Sequence, residues 1–224
     1  MKINEIFGLL KINEAPLPDD WDKTAFSPKM SFKAKVDYAK QRATQLGVGS
    51  SRVAFEIEYQ GRPTVLKIAK NKKGIAQNQV ESELLDDYYV KQLDIVIPMI
   101  DYDEDNNSPT WIHTEKADKV SEKKLCSLLK CDELYKFIKT IKGMNTGKEN
   151  SLEKYAEEMI FWKVISKDDA EIMKNYADSL YELKHNYDVE LSDFNRVANW
   201  GVYSGKPVII DIGLNTQVFK LHYS

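Results

Sequence analysis

Val53-Ala54-Phe55-Glu56-Ile57-Glu58-Tyr59, Gln60-Gly61-Arg62, and Pro63-Thr64-Val65-Leu66-Lys67-Ile68-Ala69 are the stretch from which the fold is read. The first run alternates apolar and polar residues, as a half-buried strand does. The middle triplet is a turn, and the last run is a second strand, so the three predict a β-hairpin with one face buried. Alternation sets Lys67 on the face of Val65 and Ala69, opposite Leu66 and Ile68. A lysine among apolar strand neighbours is costly to bury unless its ammonium meets an anion. A lysine that snorkels to water from an edge strand is the plainer alternative.

Immediately before the hairpin, Leu46-Gly47-Val48-Gly49-Ser50-Ser51 is a glycine-containing loop, with Arg52 at its end. Glycines between strands let backbone amides approach an anion without Cβ clashes. Taken alone, such a loop is more often an ordinary turn. Further back, Ala15-Pro16-Leu17-Pro18 and Ser27-Pro28 break the chain, and Lys33–Gln45 is predicted helical.

Beyond the hairpin, Ala76–Leu93 is predicted to be a helix. At about 100° per residue, Val80, Leu84, Leu85 and Tyr88 define its buried face, with Glu81 inside that arc and Glu83 outside it. Glu81 is therefore the candidate partner of Lys67, and a solvated helix charge is the alternative. Ile95–Ile100 reads as a strand, Asp103–Pro109 as an exposed loop and Thr110–Glu115 as the returning strand. One long helix is expected over Ser121–Lys142, with Leu125, Leu129, Phe137 and Ile141 on its apolar face. After a polar break at Gly143–Asn150, helices are expected from Ser151 and over Lys167–His185, the latter capped by Ser166. The last forty residues or so return to short strands, through Asn199-Trp200-Gly201-Val202 to Pro207-Val208-Ile209-Ile210-Asp211-Ile212-Gly213. No internal repeat is visible. Strands, then helices, then strands predict an α+β chain of two lobes.

Composition narrows the function. The 224 residues are 42% hydrophobic and 30% charged, with a net charge of −3. That balance argues against a nucleic-acid binder, which needs a clustered basic surface. No run approaches the length of a membrane span, and Met1–Ile12 lacks the pattern of a signal peptide. Cys126 and Cys131, five apart, are expected on nearly opposite sides of one helix, as thiols in a reducing cytosol. His113, His185 and His222 are too scattered to suggest zinc.

Four features occur in a fixed order: the Gly47–Arg52 loop, Lys67 in its strand, Glu81 on the next helix, and Asp193…Asn199 followed by Asp211-Ile212-Gly213. Together they resemble the protein-kinase fold, in its glycine-rich loop, strand lysine, helix glutamate, catalytic-loop aspartate and asparagine, and Asp-Phe-Gly metal motif. The resemblance spans about residues 46–215. Within it, Lys67–Asn78, Asn199–Val202 and Pro207–Leu214 are similar to small kinase-like proteins encoded by bacteriophages.

The resemblance implies a two-lobed fold: an arm and helix over 1–45, a nucleotide-binding N-lobe over 46–117, and a reduced, mostly helical C-lobe over 118–224. It implies an ATP- and Mg²⁺-dependent phosphotransferase in the host cytoplasm, acting on a host or phage component, with no nucleic-acid or membrane partner. Gly47, Gly49, Ser50, Ser51, Lys67 and Glu81 would serve the phosphates, and the backbone at Glu115 and Ala117 the adenine edge. Asn199 and Asp211 would hold the metal, and Asp193, with Lys67, would act in catalysis. The chain departs from the pattern in four respects. Arg52 stands where a third glycine is usual, and Leu191-Ser192 precede Asp193. The Asp193-to-Asn199 spacing is six residues, one more than usual. Only eleven residues follow Gly213, too few for an activation segment. Two other readings remain open: a pseudokinase that binds a nucleotide or host protein without catalysis, and a virion-associated or purely structural protein in which Lys67 pairs with Asp211.

Overall fold

The structure is a computed structural model and describes residues 17–27, 29–103, 108–144 and 151–222. The expectations for Met1–Ile12, Pro28, most of the Asp103–Pro109 loop and most of the Gly143–Asn150 break lie outside those residues. Within them the two-lobed α+β organisation is present, with an antiparallel sheet and helix in one lobe and mainly helices in the other.

The first lobe begins with a 3-10 helix, Lys23–Phe26, and α1, Phe32–Lys40. Ser31 caps α1 by accepting a hydrogen bond from the Ala34 amide. This helix is shorter than the predicted Lys33–Gln45, because Thr44–Val48 leaves it to form β1. Strands β2 (Arg52–Tyr59) and β3 (Arg62–Ala69) are the expected hairpin. Its two-residue turn, Gln60-Gly61, has positive φ at both positions (52° and 73°), the form that matches strand twist. Leu66 and Ile68 of β3 join Phe55 and Ile57 of β2 and Val36 and Ala39 of α1 in one apolar core, closed by Trp21 and Phe26.

The predicted helix over Ala76–Leu93 is two helices, α2 (Lys72–Asp86) and α3 (Tyr88–Gln92). Asp87 breaks it: its backbone is extended and its carboxylate caps the new helix by accepting from the Tyr89 and Val90 amides. The break turns Tyr88 out to solvent, against expectation, and Val90 takes the buried place. Strand β4 is Met99–Tyr102, later than the predicted Ile95–Ile100, and β5 is Trp111–Glu115. The sheet order is β1-β2-β3-β5-β4.

After β5 comes the short strand β6, Asp118–Lys119. The helix predicted over Ser121–Lys142 is again two, α4 (Glu122–Leu129) and α5 (Leu134–Gly143). Lys130 adopts the left-handed conformation (φ 61°) that ends α4, and the Cys131 amide donates back to the Cys126 carbonyl at 3.0 Å. The two cysteines therefore stand together rather than on opposite sides; both are buried free thiols, and burial raises the pKa of each. Helices α6 (Ser151–Phe161) and α7 (Lys167–Tyr187) follow as expected, and Ser166 caps α7 through the Asp169 amide. Strands β7 (Trp200–Tyr203) and β8 (Lys206–Ile209) complete a second sheet, β6-β7-β8. A closing helix, α8 (Thr216–His222), occupies residues expected to lack one.

Backbone hydrogen bonds tie the lobes together. Ile209 donates to the Ile95 carbonyl and accepts from the Ile97 amide, so β8 holds the segment between α3 and β4. Among the described residues no helix is long and apolar enough to cross a membrane.

Gly74, in the first turn of α2, marks a close approach: a Cβ there would lie 2.3 Å from the Ser51 carbonyl oxygen and 3.0 Å from Ala69. Alanine is the better helix former by about 1 kcal/mol, yet the backbone contact cannot yield. We expect Gly74→Ala to lower stability by about 1–3 kcal/mol in chemical denaturation. An unchanged or raised midpoint would contradict this packing.

Candidate active site at the lobe junction

Three elements converge where the lobes meet. From β3, Lys67 projects toward α2, and its ammonium pairs with the Glu81 carboxylate while donating to the Ile210 carbonyl at 2.5 Å. Glu81 is fully buried. It lies on the inner face of α2 because Leu84 and Leu85 do, while Glu83 is exposed, as the helical period predicts. The third participant is Arg52, at the start of β2. One guanidinium nitrogen reaches Glu81 at 2.5 Å and the Asn78 side-chain oxygen at 3.2 Å, and the other pairs with Asp211. The lysine-to-aspartate ion pair of the structural reading is thus replaced by two others, Lys67 with Glu81 and Arg52 with Asp211.

The cluster is neutral as a set, two cations against two carboxylates. Burial opposes the charge on Arg52, but Asp211 and Glu81 outweigh it and raise the pKa of the guanidinium. Burial also opposes ionisation of Asp211, but Arg52 and then Lys67 prevail and hold its carboxyl below the ordinary 3.8. Asp211 keeps 42% of its side-chain surface open to solvent, whereas Arg52 keeps 8%.

Asp193 sits in a 3-10 helix, Leu191–Asn195, and a second one, Val197–Asn199, takes up the longer spacing to Asn199. The Asn199 side-chain Nδ2 donates to the Asp193 backbone carbonyl at 2.9 Å, which holds the two together. Burial raises the Asp193 pKa, and the charge of Asp211 raises it further. Asp211 and Asn199 offer side-chain oxygens of the kind that Mg²⁺ takes from a protein, one or two beside those of a substrate. The Arg52 guanidinium is a stand-in cation on Asp211. Among the described residues no group of three or more His, Cys, Asp or Glu side chains is placed to hold a metal ion. The residues fit the ion.

The loop residues are placed differently. Gly47 pairs with Ala54 across β1 and β2, and the Gly49 amide donates to the Arg52 carbonyl at 2.9 Å. The carbonyls of Gly49, Ser50 and Ser51 accept from Lys70, Asn71 and the Lys70 amide respectively, and the Ser51 hydroxyl bonds Gln77. The loop is thereby fastened to the leading end of α2. Glu115 and Ala117 stand at the exit of β5. The Glu115 amide donates to the Pro98 carbonyl at 2.9 Å and its carboxylate pairs with Arg62 at 2.5 Å, while Ala117 abuts Gly201.

Sequence reasoning gave Arg52 no role, and it missed Asn78 and Gln77. The signal was present in Arg52, a charged residue where the resemblance called for glycine, and in the Lys72–Asn78 run. In that run Gly74 admits Ser51, Gln77 holds the Ser51 hydroxyl and packs on Gly213, and Asn78 holds Arg52 and the Pro109 carbonyl.

No protein-family model and no curated protein matches the chain. Among solved structures it is similar to the aminoglycoside phosphotransferase APH(4)-Ia, with 16% identity, 79% of this chain and 69% of that one covered, and a TM-score of 0.35. A thermostable mutant of that enzyme in ternary complex with AMP-PNP and hygromycin B is 17% identical, covering 75% of this chain and 65% of that one at a TM-score of 0.35. Another, in complex with ADP and hygromycin B, is 14% identical, covering 80% and 70% at 0.33. At this degree of similarity the chemistry is read from the site's own side chains.

Two outcomes follow from the electrostatics. Glu81→Ala leaves Lys67 and Arg52 buried without their shared carboxylate, and is expected to cost about 3–5 kcal/mol in urea denaturation. Asp193 has its folded pKa above the ordinary 3.8, so the folded state holds its proton longer and stability falls as pH rises through that window. Asp193→Asn is therefore expected to raise the melting temperature at pH 7 and to leave it unchanged at pH 3, where both states are protonated. A decrease at pH 7 would contradict the assignment.

Proposed function

We propose that the chain is a kinase-like phosphotransferase that binds ATP and Mg²⁺ between its lobes. The observation that carries the reading is the convergence on one buried cluster of a strand lysine, a helix glutamate and the aspartate after β8. Phosphoryl transfer asks a protein chiefly for positioning and charge neutralisation, and this cluster supplies both.

In this reading Glu81 aims Lys67 at the phosphates, the Gly47–Ser51 loop covers them, and the backbone at Glu115–Ala117 meets the adenine. Asp211 and Asn199 hold Mg²⁺, which supplies neutralisation of phosphate charge when bound. Asp193 orients the acceptor hydroxyl and receives its proton, and its raised pKa moves it toward the range of a useful base. The likeness of Lys67–Asn78 and Pro207–Leu214 to phage-encoded proteins is the ground for taking the acceptor to be a host or phage component in the host cytoplasm.

One observation favours a second reading, a pseudokinase: Arg52 already occupies Asp211. Thermal unfolding and a transfer assay separate the two. With ATP and Mg²⁺ at about 100 times the dissociation constant, binding adds ~2.7 kcal/mol, roughly 5–10 °C for a chain of this size. The shift is expected in the wild type, and absent in Lys67→Ala and Asp211→Ala. Asp193→Ala should keep the shift and lose phosphate transfer; transfer that survives this change removes the catalytic role of Asp193, and no transfer by the wild type, or no shift at millimolar ATP, overturns the enzyme reading.

A further inference from the structure

We propose that Arg52 is a resident counter-ion that competes with the divalent cation for Asp211 and passes to the nucleotide's phosphates when that cation binds. The inference rests on the nucleotide-site reading above and adds to it a residue and an order of events.

Arg52 is shared unequally. Glu81 already has Lys67, so the carboxylate that depends on the guanidinium is Asp211. The two ends of the guanidinium are anchored differently as well. One nitrogen is held by Glu81 and by Asn78, both on α2, and only the other reaches across to Asp211. Release of Asp211 therefore frees one end of the fork while the other stays in place. Exposure is lopsided too: Asp211 is 42% open on its side chain and Arg52 8%, so solvent and its ions reach the carboxylate more readily than the arginine.

A divalent cation at Asp211 would stand beside a guanidinium already on that carboxylate. Like charges at that separation, in a partly buried site, repel strongly. The freed guanidinium end needs another anion, and a triphosphate brought in with the cation provides one. Cation and nucleotide are then bound jointly, each favouring the other, and the cation alone is bound poorly. The Arg52 carbonyl accepts from the Gly49 amide, so the residue that changes partners is also fixed to the loop over the phosphates.

The test is binding of Mn²⁺ alone, read from the loss of its free electron-spin resonance signal, to wild type, Arg52→Gln and Arg52→Lys. Arg52→Gln is expected to bind one Mn²⁺ about tenfold or more tightly than wild type, since a charge-assisted contact no longer competes. Arg52→Lys keeps the buried charge but cannot fork across two carboxylates, and should fall between them. If Arg52→Gln fails to fold, as circular dichroism would reveal, the Lys variant decides alone. The gain should vanish when Asp211→Asn is added. Equal Mn²⁺ affinity in wild type and variants, or a gain that survives Asp211→Asn, overturns the proposal. Adding ATP in the same titration separates the two levels. Nucleotide uptake with equal Mn²⁺ affinity removes the counter-ion role alone, and no nucleotide uptake by any of the proteins removes both.

Discussion

Burying a carboxylate away from water is costly unless it is paired, and Glu81 has no exposure to water. Its two partners come from separate strands, Lys67 on β3 and Arg52 at the start of β2. Each brings a further contact to the second lobe, Lys67 at the Ile210 carbonyl and Arg52 at Asp211. The neutralisation of one buried charge thus sets the position of α2 over the sheet and of the segment after β8 beneath it. Such a cluster is weak evidence for net stability, since apolar residues can fill the same volume at no loss. What the charges add is a fixed register among three elements.

The packing around the cluster serves that register. At Gly74 and at Gly213 backbone runs against backbone. Gly74 admits the Ser51 carbonyl, and Gly213 lies where a Cβ would come within 2.6 Å of the Gln77 carbonyl oxygen. The first turns of α2 therefore touch the glycine loop on one side and the strand exit carrying Asp211 on the other. Ile95, Ile97 and Ile209 repeat the tie with backbone hydrogen bonds. A ligand entering the junction meets elements already aligned, which lowers the ordering cost of binding.

Much of this was legible in the chain. The hairpin was readable because alternation and Gln60-Gly61 agree, and local and global preferences coincide there. The facing of Glu81 and Lys67 followed from two periods, helical and strand, read separately. The helix breaks were not legible from apolar spacing, because single residues make them: Asp87 by capping a new helix and Lys130 by turning left-handed. In both stretches the apolar period continues across the break, so periodicity alone merges the pieces. The pairing of Cys126 with Cys131 was misjudged for the same reason. Arg52 was passed over because it registered as a missing glycine. Its partners, Asn78, Glu81 and Asp211, lie 26, 29 and 159 residues away, beyond the reach of local spacing.

The central claim is that nucleotide phosphates lie against Lys67. An acyl-phosphate derivative of ATP, which transfers its acyl group to an amine held beside the phosphates, tests this most directly when followed by peptide mass spectrometry. The account predicts acylation of Lys67, suppressed by excess ATP. Acylation spread over the surface lysines, with Lys67 unmodified and ATP without effect, would contradict it.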